Sequence, residues 1–137
     1  MKWLYLICRI LLGAVFVLAG VMKIHPFGPQ DMHLPAPAMQ WFGVMMSSGW
    51  ITVLGYIELL GGLLVLIGGT LPLGLCIICP ITVNILLFDA LLVGGHGIGI
   101  ALGLVAFELV LLYGYRGSFA GIFTHKAKPT LSSSAAS

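Results

Sequence analysis

Arg9, Glu58, Asn84 and Glu108 each stand inside a long apolar run. Groups of this kind can do chemistry there. A carboxyl passes protons, a guanidinium polarises a carbonyl oxygen, and an amide donates and accepts hydrogen bonds. A charge at the centre of a helix in a bilayer costs roughly 2.5–3.5 kcal/mol even on the milder scales. The economical arrangement turns all four side chains inward, toward one another, in a small bundle.

Helical rise, about 1.5 Å per residue, sets their depths. Arg9 and Glu108 fall at matching depth, about two turns inside the cytoplasmic ends of their runs, and have opposite sign. The expectation is that they pair. Glu58 and Asn84 both fall near the midplane and are expected to hydrogen-bond. Lys23, Asp89 and His96 gather near the outer surface as a third polar layer. Two readings follow. In one, these charges neutralise one another and fix helix register. In the other, Arg9, Glu58, Asn84 and Glu108 line a ligand site for a quinone, a proton or a small polar molecule, with Glu58, Glu108 and Arg9 as catalytic candidates.

The elements that must position these residues are four apolar runs: Trp3–Ile24, Trp50–Ile67, Leu71–Val93 and Ile98–Tyr115. Crossing the hydrocarbon core takes about 20 apolar residues, so the predicted fold is an all-α bundle of four transmembrane helices in residues 1–117, with a tail over 118–137. Arg9, Gly13, Phe16, Gly20 and Lys23 form one stripe along the first run. Ile51, Gly55, Glu58, Gly62, Val65 and Gly69 form another along the second. Glycine permits the close approach that drives helix association in lipid, so both stripes are predicted to be buried. Gly95, Gly99 and Gly103 make a GxxxG-type surface on the fourth run. Packing within the chain is its favoured use, and contact with another membrane subunit is the alternative. Between the first two runs, Pro35 and Pro37 interrupt helix, and the apolar stretch Ala38–Met46 is too short to span. It predicts a brief interfacial helix with Trp41 and Trp50 at headgroup depth.

Of the 137 residues, 60% are hydrophobic and 7% charged. A soluble domain carries about 25% charged residues, so that class is excluded. A net charge of +2 with no basic stripe gives no reason to expect nucleic acid. The first run reads as a retained helix rather than a cleaved signal peptide, because Arg9 interrupts it and no small-residue cleavage site follows. Lys2, Arg9, Arg116, Lys126 and Lys128 flank the two chain ends, so both termini are predicted to be cytoplasmic. No metal-ligand signature or trusted cofactor set is present. Cys76-Ile77-Ile78-Cys79-Pro80 is a CxxC that can be redox-active, or can serve as small apolar residues, and Cys8 lies at similar depth.

These features together resemble the DoxX family of small bacterial membrane proteins. The matching stretches are Arg9 to Gly13 with Ala19 to Lys23, Glu58 to Gly62 with Gly68, and Asn84 to Phe88. Many relatives carry histidine after the last stretch, where this chain has Asp89. The resemblance implies a four-helix bundle in the bacterial cytoplasmic membrane. Its named relatives include subunits of quinone-linked oxidase complexes and proteins tied to maturation of redox enzymes. The expected function is therefore an auxiliary membrane subunit of a quinone-linked or other energy-converting redox complex, without catalysis of its own. The alternatives are a quinone-handling subunit, with quinone as its cofactor, and a small transporter or assembly factor.

Overall fold

The computed structural model describes residues 1–25 and 33–122. Residues 123–137, most of the expected tail, lie outside the described residues, as do residues 26–32 of the first long connection.

Among the described residues six helices follow in order: α1 (Lys2–Ile24), α2 (Ala36–Ser47), α3 (Trp50–Ile67), α4 (Leu71–Leu91), α5 (Ile98–Gly114) and a short α6 (Arg116–Phe119). Three of them, α1, α3 and α4, are long and apolar enough to cross a bilayer. Helix α5 is apolar and has 17 residues. Large apolar side chains such as Leu18, Ile67, Leu91 and Ile100 point outward on every one of these helices. That pattern suits lipid and not water. The chain is a multi-pass membrane protein.

The breaks between helices have local causes. Gly68 takes φ +82° and ends α3, and Pro72 opens α4 where no intrahelical donor is needed. Helix α4 stops at Leu91, two residues short of the predicted end. There the N–H groups of Leu92 and Gly95 bond the Phe88 and Asp89 carbonyls, and Gly94 and Gly95 adopt positive φ. Helix α2 covers the predicted Ala38–Met46 stretch and begins two residues earlier, with Pro35 at its N-cap and Pro37 in its first turn.

The core forms where the glycine stripes meet. A Cβ on Gly20 would lie 2.6 Å from the Gly55 carbonyl oxygen, and one on Gly62 would lie 2.8 Å from the Val17 nitrogen. Helices α1 and α3 therefore touch backbone to backbone, and theirs is the most extensive interhelical packing. Helix α3 meets α4 through a second small-residue contact, because a Cβ on Gly74 would lie 2.9 Å from the Gly61 carbonyl oxygen. Leu12, Phe16, Val65, Leu71, Leu75, Ile78 and Leu111 fill the space between helices, and Phe119 of α6 folds back onto them. The packed body thus reaches beyond residue 117.

Gly99 and Gly103 correct the favoured expectation for the GxxxG surface. Among the described residues, a Cβ on either would meet nothing within 4 Å, and the same holds for Gly95. The other face of α5, with Ala101, Leu104, Glu108 and Leu111, is the one buried within the chain.

Candidate functional site

The α1 and α3 stripes decide which charges meet. Lys23 is the last member of its stripe and Glu58 sits mid-stripe on α3. Their helices run antiparallel in direct contact. The Lys23 ammonium donates to both Glu58 carboxylate oxygens, at 2.5 and 2.6 Å. Glu58 is fully buried, whereas the Lys23 side chain is 25% exposed. The ammonium reaches inward from the end of α1 on a flexible apolar stem.

This ion pair forms the inner wall of a cavity of about 250 Å³ at the α2 end of the bundle. Asn84 and Asp89 of α4 line the same cavity. Helix α2 covers it with Trp41 and Phe42, which pack on Phe88: the Trp41 and Phe88 ring centres are 4.8 Å apart, and the Phe42 and Phe88 rings meet edge to face at 5.6 Å. The remaining lining is apolar, from residues such as Leu54 and Ile85. Such a site holds an apolar body and offers a few polar contacts to a head group. Among the described residues, no three His, Cys, Asp or Glu side chains converge as a metal site.

Several expected contacts are replaced. Glu58 bonds Lys23 and not Asn84, because Glu58 faces α1 while Asn84 sits on the exposed face of α4 at the cavity rim. Lys23 is thereby tied to Glu58, though it still lines the cavity together with Asp89. The Asp89 carboxyl packs against the backbone of Gly97, where a Cβ would lie 2.9 Å from its Oδ1. His96 is exposed and turns onto the Val93 carbonyl of its own turn, at 3.3 Å.

Arg9 and Glu108 do not pair. Arg9 shares the stripe of Gly13 and Gly20, so it faces α3, and its guanidinium lies against Gly68 at the α3 C-terminus. The negative end of a helix dipole is a natural resting place for a cation. Its Nε is buried without a hydrogen-bond partner among the described residues. Glu108 faces α4 instead, where it is buried and accepts from the Thr82 hydroxyl. The Thr82 hydroxyl also lies 3.2 Å from the Ile78 carbonyl. The four residues expected to share one pocket are thus divided among three places: Glu58 and Asn84 at the cavity, Glu108 in the α4–α5 seam, and Arg9 at the far end of α3.

Thr82 and the Trp41–Phe42–Phe88 cluster were not among the predicted site residues. Thr82 lies three residues after Cys79 on the face of α4 that carries Ile78 and Leu75, a spacing that does place it inward. Nothing local marks the aromatic cluster, which joins residues more than 40 positions apart. Cys8 packs in the core and does not form a three-sulfur site with Cys76 and Cys79.

No curated protein and no solved structure matches the chain. A family model does, and it is not that of the DoxX family, to which the motifs bear their resemblance. It is the model of methylamine utilisation protein MauE, which matches residues 1–122. The chain, a multi-pass membrane protein with its buried acids on α3 and α5, belongs to the MauE family.

Proposed function

We propose that this protein is an auxiliary membrane component of a redox system of the methylamine-utilisation type, held beside partner subunits. Four helices would cross the bacterial inner membrane, with both termini in the cytoplasm. Helix α5, at about 1.5 Å per residue, spans near the lower limit for crossing. The observation that carries the reading is the α5 face of Gly99 and Gly103, continued by Gly95 in the turn before it, which the described residues leave uncovered. In lipid, small residues of this spacing admit a neighbouring helix to close contact. Family membership supports the system.

The test is purification of the native membrane assembly in mild detergent from cells carrying Gly99→Leu and Gly103→Leu. The wild-type chain should appear at fixed stoichiometry with other membrane subunits. The double variant should fold but come away alone. A wild-type chain that purifies alone, or a double variant that keeps its partners, removes the proposal.

A second reading, a quinone-handling subunit, draws on the cavity rather than on α5. Lys23 and Asn84 can donate to a quinone oxygen, Asp89 can accept from a quinol hydroxyl, and the aromatic cover suits a planar head. Quenching of Trp fluorescence by a short-chain ubiquinone in nanodiscs tests it. Saturable quenching lost in Trp41→Leu supports it, and non-saturable quenching counts against it.

A further inference from the structure

The α4–α5 seam holds a group of reactive side chains that the cavity does not use. Cys76 and Cys79 lie three residues apart on α4. Cys76 is exposed on the outward stripe of α4, with Leu73, Pro80 and Leu87. Cys79 is half-buried, and its side chain faces the Glu108 carboxyl across the α4–α5 seam. Glu108 is otherwise held by Thr82 and has no cation against it among the described residues.

Residues three apart on a helix place their Cβ atoms roughly 5–6 Å from each other. A disulfide needs about 3.5–4.5 Å, so the turn must tighten before the sulfurs join. Pro80 sits inside the helix four residues after Cys76. It has no N–H to bond the Cys76 carbonyl, and its ring crowds that carbonyl. The one turn that must deform is therefore the turn already missing its hydrogen bond.

From this geometry we propose that Cys76 and Cys79 form a thiol–disulfide exchange site on the lipid-facing side of α4, with Glu108 as the proton acceptor for Cys79. The substrate is a disulfide that reaches Cys76 through the lipid. The exposed Cys76 sulfur attacks one substrate sulfur. The substrate S–S bond breaks, a mixed disulfide forms, and the first substrate thiol leaves with the Cys76 proton. Cys79 then attacks the Cys76 sulfur and gives its proton to Glu108. The mixed disulfide breaks, and the second substrate sulfur leaves as thiolate and takes up that proton. The substrate disulfide is reduced to two thiols, and the two cysteines are oxidised to one disulfide. The buried acid serves the second step because Cys79 is turned away from water and has no other base in contact among the described residues.

The full chain carrying Cys8→Ala, reduced and reconstituted in nanodiscs, is treated with 4,4′-dithiodipyridine. The expected result is two thiopyridone molecules released per chain, no retained adduct, and a mass lower by two hydrogens. Cys79→Ser should release one thiopyridone and retain one pyridylthio group on Cys76 as a mixed disulfide. Glu108→Gln, which keeps a carbonyl for Thr82, should slow the loss of the mixed disulfide about a hundredfold, a loss typical of a missing general base. Oxidised glutathione, confined to water, should react far more slowly than the lipophilic probe. Two retained adducts in the Cys8→Ala chain overturn the exchange site. An unchanged second step in Glu108→Gln overturns the acid's role, and faster reaction with glutathione overturns the lipid-side approach.

Discussion

Removing the two partners of the Lys23–Glu58 pair should have unequal effects. Glu58 is fully buried at the α1–α3 contact, where Gly20 and Gly55 exclude solvent. Lys23→Met leaves that carboxylate without a partner in a place it cannot leave. Breaking a buried ion pair in this way costs about 3–5 kcal/mol. Glu58→Leu leaves Lys23, which is already 25% exposed at the end of α1. Its ammonium can swing out to the surface, so the expected cost is smaller, about 1–2 kcal/mol, the range for removing a hydrogen bond without stranding a charge. The double variant removes both charges, and a well-packed apolar pair is often neutral or stabilising. It should therefore recover most of what Lys23→Met loses. The assay is reversible unfolding in mixed detergent micelles, followed by Trp fluorescence and analysed as a double-mutant cycle. Equal losses for the two single variants would refute the argument that burial asymmetry sets the cost. A double variant no more stable than Lys23→Met would refute the argument that the stranded carboxylate causes the loss.

Three further outcomes follow from the packing. Gly20→Ala places a Cβ 2.6 Å from the Gly55 carbonyl oxygen, backbone that cannot move aside; it should cost about 1–3 kcal/mol by overpacking, read by the same unfolding assay. Gly103→Ala, whose Cβ meets nothing within 4 Å, should leave the purified chain's stability within about 0.5 kcal/mol. Thr82→Val keeps the shape of a fully buried residue but removes the donor to Glu108, and should cost about 1–3 kcal/mol, with Thr82→Ser recovering most of it.

Helix positions are written locally in this chain, and the membrane class with them. Apolar runs of spanning length, bounded by Gly68-Gly69 and Gly94-Gly95, predict α1, α3 and α5 to within one residue at each end. The glycine stripes of α1 and α3 were also legible, because a 3.6-residue period fixes which side chains share a face. Depth along a helix follows in the same way from its rise. Depth alone pairs Arg9 with Glu108, and that pairing fails.

The sequence by itself determined the apolar helices, the two packed stripes and the presence of acids on inward faces. Only the tertiary structure decided the partners. A face and a depth leave open which neighbour a helix turns toward, and rotation of α1 against α3 sends Arg9 to the end of α3 and Lys23 to Glu58. The rotation of α5 likewise gives Glu108 to Thr82 and leaves Gly99 and Gly103 outward. The cavity beneath α2 is a consequence of the same choices, since its walls come from α1, α2, α3 and α4 at once.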